Sequence, residues 1–276
     1  MRCCSSWASP ETRSRPPTPQ TGCCAASRWT SLVNPDEQHV GIEAYRRLTR
    51  YVGGHEDPPD PADVLAMQMV LRIEKTSPPD RTDLLTAAAR AVALLCLDER
   101  TEGEGPWAAP MDAWCDARIR KIARRARGAQ WEAAQQVWGV TATEGDAGAR
   151  AYVPGRVGDI DRRIGKLQIG GTDVPGELQT APGPGVVLWL GPDLNMTVGK
   201  CAAQVGHAAM LAVRLMSAGD ATRWHDDGCP LMVRQAATGR WHALLEADAR
   251  GTAVAVRDAG FTEIAPGSVT VIADIG

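Results

Sequence analysis

The sequence predicts an α/β protein: a C-terminal three-layer sandwich with a small mixed sheet, preceded by an α+β N-terminal domain and a disordered extension. Short apolar runs alternate with longer segments of helical period, and Pro- and Gly-rich stretches separate them. The 276 residues, of which 44% are hydrophobic, suffice for two modest domains. The predicted divisions are a disordered extension over 1–62, an α+β domain over 63–175, a linker over 176–185 and the sandwich over 186–276.

Composition narrows the class of protein. A net charge of −3 argues against a general polyanion binder. No run approaches the roughly 18 apolar residues that cross a bilayer, and no signal-peptide core opens the chain. We therefore expect a cytoplasmic protein without a membrane partner. Nine Trp against three Tyr and one Phe, with abundant Ala, Gly and Arg, are typical of a GC-rich genome and indicate a bacterial source.

Eight cysteines raise the question of a metal site. Two adjacent pairs, Cys3-Cys4 and Cys23-Cys24, lie near the start of the chain. Adjacent cysteines rarely both bind one tetrahedral ion, and the usual C-x₂-C spacing is missing. We interpret the thiols as reduced and structural, and we predict no metal and no cofactor.

The N-terminal elements follow from period and turn signals. Leu84, Ala88, Ala91 and Leu95 recur at helical spacing, and Glu144-Gly145-Asp146 is typical of a hairpin turn. The predicted elements are a strand over 67–73, helices over 82–97 and 111–137, hairpin strands over 140–143 and 149–153, and a further strand over 166–169.

The C-terminal region opens with a buried strand and has the order β-α-β-α-β-β. Its predicted elements are strands over 186–190 and 231–235, helices over 198–216 and 240–249, and closing strands over 253–256 and 269–273. The N-terminal half has a loosely similar order of elements. Because no residue motif repeats, the sequence does not predict an internal duplication.

A lysine near a helix start gives the first chemical signal. Thr197 can cap the helix that follows the first C-terminal strand, which places Lys200 in its first turn. The helix dipole disfavours a cation there by roughly 0.3–1 kcal/mol, so an anion should lie opposite. Gln204 and His207 continue the same row at i+4 and i+7, beside a stripe of core residues. Asp258, at the end of a later strand, is a carboxylate at the sheet edge where α/β sites gather.

Two segments around these residues resemble the archaeal/eukaryotic-type peptidyl-tRNA hydrolase family. The first, over 193–208, matches Asp-Leu-x-Met-x-x-Gly-Lys-x-Ala-Ala-Gln-x-x-His-Ala, and the second, over 257–270, matches Arg-Asp-Ala-Gly-x-Thr-x-Ile-x-Pro-Gly-Ser/Thr-x-Thr. The resemblance covers about residues 186 to 276. It implies hydrolysis of the ester that joins a peptide, or an N-blocked aminoacyl group, to the 3′ end of tRNA. It also implies peptidyl-tRNA as partner and a homodimer as a possible assembly.

The resemblance assigns roles to five residues. Lys200 would meet the oxyanion or a neighbouring 3′-terminal phosphate, and Asp258 would orient Lys200 or polarise the attacking water. Gln204 and Thr262 would position that water, and His207 would support the site or contact the terminal adenosine. The alternative for Lys200 and Asp258 is an ordinary surface ion pair, worth about 0–1 kcal/mol.

The residues that bind tRNA are predicted to lie N-terminal to the region of the resemblance. Residues 181–276 hold seven Lys/Arg against nine Asp/Glu, although phosphate contacts normally supply most of the affinity for tRNA. A basic cluster lies on the predicted helix over 111–137, with an apolar stripe running through it. The alternative is a solvated helix face. The residues of the cluster are Arg118, Arg120, Lys121, Arg124, Arg125 and Arg127.

One functional alternative stays open. The chain could be a non-catalytic RNA- or nucleotide-binding protein that keeps the hydrolase fold without turnover. An unrelated hydrolase is disfavoured, because the sequence has no Gly-x-Ser-x-Gly, His-Glu-x-x-His or phosphate-binding Gly-Lys-Thr motif.

Overall fold

Two small mixed sheets and the helices on their faces form the described part of the chain. The computed structural model describes residues 42–51, 56–170, 173–258 and 264–276. The predicted α/β class is confirmed. Among these residues, no helix is long and apolar enough to cross a membrane.

The N-terminal half holds the five-stranded sheet, with the strand order β2-β1-β4-β3 and a short β5 on β1. Strands β1 and β2 are parallel, whereas β4 is antiparallel to both β1 and β3. Its elements are α1 (Ile42–Arg50), β1 (Leu65–Arg72), α2 (Arg81–Cys96), α3 (Ala108–Asp116), β2 (Arg120–Ala126), α4 (Ala129–Ala134), β3 (Gly139–Glu144), β4 (Ala147–Tyr152), β5 (Gly155–Arg156) and α5 (Arg162–Gly165).

The C-terminal half holds the four-stranded sheet, with the strand order β7-β6-β9-β8. Helix α6 covers one face of this sheet, and α8 covers the other through a separate small cluster around Trp189 and Leu244. The predicted three-layer sandwich is therefore confirmed. The elements are β6 (Val186–Leu190), α6 (Val198–Ala212), α7 (Ala218–Asp226), β7 (Leu231–Gln235), α8 (Thr238–Ala249), β8 (Val254–Arg257) and β9 (Val269–Ile275).

The two halves repeat one topology. Strands β6 and β7 are parallel, and β9 is antiparallel to both β6 and β8, as β4 is to β1 and β3. Helices α2 and α6 follow the first strand, α3 and α7 precede the second, and α4 and α8 follow it. In the sequence, the loosely similar order of elements was the sign of this repeat, since no residue motif repeats with the fold.

Helices α2 and α6 join the halves through one buried cluster. The first residue of α2, Arg81, donates through Nη2 to the carbonyl oxygen of Met196, at 3.3 Å, just before α6 begins. Further along both helices, Gly206 of α6 lies against Val92 of α2. The helices therefore run side by side in the same direction. The predicted linker over 176–185 does not separate two cores, and residues 39–276 form one compact unit.

Gly206 sets the close approach of these helices. A Cβ at this position would lie 2.8 Å from Val92 Cγ2, so the neighbour would have to shift. We expect Gly206→Ala to lower the free energy of unfolding by about 1–2 kcal/mol, because overpacking exceeds the helix-propensity gain. Adding Val92→Ala should recover about 1 kcal/mol as coupling. Gly239→Ala in α8 is the matched control, since no atom lies within 4 Å of its Cβ position. Urea unfolding checks this, and equal effects at both glycines would contradict it.

The segment predicted to be a disordered extension, 1–62, contains a helix. Residues 1–41 and 52–55 lie outside the described residues. Between them, α1 buries Ala44 and Leu48 in the shared core, and Glu102 accepts hydrogen bonds from the backbone N–H groups at its start. The Tyr45 hydroxyl donates to the carbonyl oxygen of Met216 at 3.0 Å. Disorder up to residue 62 was therefore a wrong prediction, because the amphipathic helix α1 packs its apolar face on the core.

The predicted helix over 111–137 is also wrong. Its middle is β2, a parallel partner of β1, and only its ends are helical, as α3 and α4. The spacing of Ala123 and Ala126 fits a helical stripe, but in the strand these residues enter the cores on opposite faces of the sheet. Pairing with β1 overrides the local pattern, as tertiary context commonly does.

Candidate active site

Lys200 lies in the first turn of α6, where it was predicted. Thr197 caps the helix, its Oγ1 accepting from the backbone N–H of Lys200 at 3.3 Å. The Lys200 side chain is only 14% exposed, and its Nζ donates to Asp258 Oδ2. Asp258 is therefore the anion that a cation at a helix N-terminus requires.

Asp258 follows β8, and its side chain is 4% exposed. A turn holds its backbone: its N–H donates to the Ser268 carbonyl at 2.9 Å, and its carbonyl accepts from Gly267 N–H at 2.7 Å. Removing one partner of a buried ion pair typically costs 3–5 kcal/mol, whereas an exposed pair is worth about 0–1. Burial of both partners distinguishes this pair from an ordinary surface contact.

Gln204 links Asp258 to a threonine that the sequence analysis did not single out. Gln204 Nε2 donates to Asp258 Oδ2 at 2.8 Å, and Gln204 Oε1 accepts from Thr270 Oγ1 at 2.6 Å. Gln204 and Thr270 are both buried, Thr270 completely. Thr270 closes the second sequence motif, which was the signal that could have found it. The result is a hydrogen-bonded chain from Thr270 through Gln204 and Asp258 to Lys200.

His207 lies apart from this chain, although it shares the helical row of Lys200 and Gln204. Its ring centroid is 6.2 Å from that of Tyr51. Burial first, and then the charges of Lys121 and Arg214, lower the pKa of His207 well below its usual 6.5. His207 is therefore a neutral residue where α6 packs against the N-terminal half.

The neutral state of His207 predicts a pH dependence of stability. Its pKa is lower in the folded than in the unfolded protein, so acid favours the unfolded chain below about pH 6.5. We expect the free energy of unfolding to fall between pH 7.5 and 5.5, by up to about 1 kcal/mol more in the wild type than in His207→Gln. Urea unfolding at both pH values checks this. Parallel losses in the two proteins would contradict it, since their other titrating groups are the same.

Five residues of the second motif, 259–263, lie outside the described residues. Thr262, predicted to position water, is one of them. The role of Thr262 therefore stays a prediction.

The repeated fold offers a second place for such a site, at the start of α2. Counted from the cap Asp80, Asp83 occupies the position of Lys200, and Ala87 that of Gln204. Burial first, and then the charges of Asp80, Glu144 and Asp146, raise the pKa of Asp83. Asp83 is an acid and cannot supply the positive charge that Lys200 supplies. Of these two equivalent helix starts, the one in the C-terminal half has the lysine–aspartate pair.

The six basic residues predicted to bind tRNA do not share one outward face. Arg120 pairs with Asp57. Lys121 is half-buried, with Nζ 4.9 Å from the Trp114 ring centroid and its pKa lowered to about 8 by desolvation. Arg124 is buried, and it donates to Gln68 and to the carbonyl oxygens of Gly165 and Leu167. Arg118 is half-buried, and Arg125 and Arg127 lie at the end of β2.

The comparisons with known proteins match the region that carries the site. The family model described as peptidyl-tRNA hydrolase PTH2 matches residues 185–275. A probable peptidyl-tRNA hydrolase 2 from Schizosaccharomyces pombe is 40% identical over 93 residues, which are 32% of this chain and 45% of that protein. A peptidyl-tRNA hydrolase from Haloquadratum walsbyi is 39% identical over 84 residues, which are 29% of this chain and 75% of that protein.

These relatives bear on source as well as on family. Neither is bacterial, so they do not support the bacterial source expected from composition. The chain spans less than half of the yeast protein but three quarters of the haloarchaeal one. Over residues 185–275, which hold the Lys200–Asp258 pair, the chain belongs to the peptidyl-tRNA hydrolase 2 family.

Proposed function

We propose that the chain hydrolyses the ester between a peptide, or an N-blocked aminoacyl group, and the 3′ end of tRNA. The observation that carries this proposal is the buried chain of hydrogen bonds from Thr270 to Lys200. Its family membership supports the same substrate, since the relatives named above are peptidyl-tRNA hydrolases.

Lys200 supplies the charge that stabilises the transition state. Attack on an ester carbonyl places negative charge on the carbonyl oxygen, and a fixed cation in a partly dry site stabilises that charge strongly. An ammonium group has three N–H donors, of which the bond to Asp258 uses one. Lys200 therefore donates to the oxyanion while Asp258 holds its position.

Asp258 is the acceptor that orients the attacking water and keeps Lys200 in place. Both Lys200 and Gln204 donate to the same oxygen, Oδ2, which fixes the plane of the carboxylate. Gln204 has its nitrogen on Asp258 and its oxygen on Thr270, so it positions Asp258. Thr262 keeps its proposed role in holding that water.

Release of N-acetyl-aminoacyl groups from tRNA by the purified full chain tests the proposal. We expect release well above the spontaneous rate with wild type and near that rate with Asp258→Asn. Arg223→Ala is the control, since it removes an exposed cation of the Arg223–Asp220 pair. Binding of the tRNA without release by wild type would overturn hydrolysis and favour the non-catalytic RNA-binding alternative.

Assembly and location belong to the same proposal. The homodimer implied by the resemblance and the cytoplasmic location stay predictions. The mass of the purified chain by light scattering tests the first, and fractionation of the source cell tests the second.

A further inference from the structure

A polar pocket of about 470 Å³ lies at the carboxyl edge of the N-terminal sheet, where the parallel strands β1 and β2 end. Ligands of α/β sheets commonly bind beyond the carboxyl ends of parallel strands. The charged groups that line this pocket are Lys75, Arg125, Arg127, Lys166, Glu74 and Asp173.

The charges in the pocket favour an anionic ligand. Both acids are engaged by arginines: Glu74 accepts from Arg72 at 3.2 Å, and Asp173 accepts from Arg81 at 3.1 Å. Within the described part of the chain, Lys75, Arg127 and Lys166 are exposed and take part in no ion pair. Arg125 Nη2 donates to Gln168 Oε1 at 2.5 Å, which holds its guanidinium at the pocket.

The pocket and Lys200 lie on the same side of the molecule. Helices α2 and α6 run side by side in the same direction, so the carboxyl edges of the strands before them face the same way. Arg81 connects the two places directly, because Nη1 binds Asp173 in the pocket and Nη2 donates to Met196 and Cys201, beside Lys200. A ligand held at Lys200 can therefore continue into the pocket without crossing the molecule.

We propose that this pocket, which we call the carboxyl-edge pocket, binds phosphates of the RNA strand whose 3′ end reaches Lys200. The inference rests on the proposed function, since it assigns the substrate's phosphates to a second place. Phosphate contacts supply most of the affinity of proteins for RNA, and the acidic C-terminal half has few cations to offer. The N-terminal half thus binds the RNA phosphates through Lys75, Arg127 and Lys166, and not through a basic helix.

Reversing two of these charges tests the carboxyl-edge pocket. We expect Arg127→Glu/Lys166→Glu to weaken binding of deacylated tRNA at least about 10-fold and to reduce the salt slope by about 1.4–1.8, the value for two lost phosphate contacts. KM for N-acetyl-aminoacyl-tRNA should rise in parallel, while the single-turnover rate at saturating protein stays unchanged. Filter binding between 50 and 200 mM salt gives the first two quantities.

The matched control reverses two exposed arginines at the opposite, amino edge. Arg156 lies on β5 beside the start of β1, and Arg223 lies near the end of α7, before β7. Arg156→Glu/Arg223→Glu makes the same change in net charge and should leave KM and the salt slope nearly unaltered. Equal losses of affinity in both double variants would overturn the inference, because they would show a general charge effect.

Binding to deacylated tRNA separates this inference from the proposed function. If wild type releases no acyl group but the carboxyl-edge variant still loses affinity, hydrolysis fails and the pocket stands. If wild type hydrolyses its substrate and the variant keeps full affinity, the pocket fails and hydrolysis stands. Inorganic phosphate is the remaining probe: millimolar phosphate that stabilises wild type, without any change in tRNA affinity in the variant, would show a small-anion site and overturn the inference.

Discussion

Lys200→Ala is expected to lower kcat for release of N-acetyl-aminoacyl groups by about 10²–10³-fold, the usual cost of losing one oxyanion donor. KM should change little, because the carboxyl-edge pocket and the rest of the RNA surface still bind the substrate. The reason is specific to the transition state: the ammonium group meets a full negative charge only while water attacks the carbonyl. Steady-state release at several substrate concentrations separates kcat from KM.

The loss of a buried cation requires a check on folding. Lys200→Ala leaves Asp258 in a buried place with Gln204 as its remaining described side-chain donor, which we expect to cost stability. Lys200→Gln keeps a donor at this position without the charge. Both variants should be folded by circular dichroism and similarly impaired in kcat. Full activity in Lys200→Gln would contradict a role for the charge, and full activity in Lys200→Ala would contradict any role for the side chain.

Gln204→Leu is expected to lower both stability and turnover. It removes the amide donor to Asp258 Oδ2, which Lys200 still contacts, and the close acceptor of the Thr270 hydroxyl, whose other contact is the Val256 carbonyl oxygen at 3.4 Å. We therefore expect a loss of about 1–3 kcal/mol in the free energy of unfolding. Turnover should fall about 10- to 100-fold, because Asp258 is no longer held in one orientation. Urea unfolding and steady-state kinetics measure the two losses.

A double-mutant cycle separates the structural from the positioning effect. Thr270→Val in the Gln204→Leu background removes the hydroxyl that has lost its close acceptor, so about 1 kcal/mol of stability should return as coupling. Turnover should not return with it, since Asp258 still lacks the amide donor. Recovery of both quantities together would contradict a positioning role and leave Gln204 a purely structural residue.

The C-terminal half was largely predictable because its local signals agree with its fold. The bounds of β6 and β7 were predicted to the residue, and a Thr cap before a helical row placed Lys200 correctly. The exception is α7, a short helix that the sequence reading left out. The helical spacing of Lys200, Gln204 and His207 did not indicate how far the site extends along α6. Gln204 turns toward Asp258, whereas His207, one turn further, packs against the other half.

The N-terminal half was less predictable because its residues serve contacts that are distant in sequence. Arg124 resembles a surface cation, but it is buried and donates to carbonyl oxygens more than forty residues away. The Nζ of Lys121 lies 3.3 Å from the Sδ of Met210 in α6, which belongs to the other half of the molecule. Helical and strand periods overlap in such a short segment, so pattern alone could not choose between them.

The repeated topology gives the N-terminal half a physical role. Its helix α2 covers the small-residue face of α6, and one buried cluster continues from one sheet to the other. At the position equivalent to Lys200 it has Asp83, which lies among other acidic residues. At the carboxyl edge of its sheet it has the carboxyl-edge pocket. One half thus carries the proposed chemistry, and the other half supports it and holds the proposed grip on RNA.

The central claim is that water held at Asp258 attacks the ester carbonyl opposite Lys200. Tracing the oxygen of that water into the products tests this claim most directly. Wild type and N-acetyl-aminoacyl-tRNA are mixed in ¹⁸O-labelled water, at saturating protein and for a single turnover. The account predicts release far faster than without protein, one solvent oxygen in the carboxylate of the released acyl group, and none in the 3′ ribose of the tRNA. Label in the ribose hydroxyl, or release no faster than the spontaneous reaction, would contradict it.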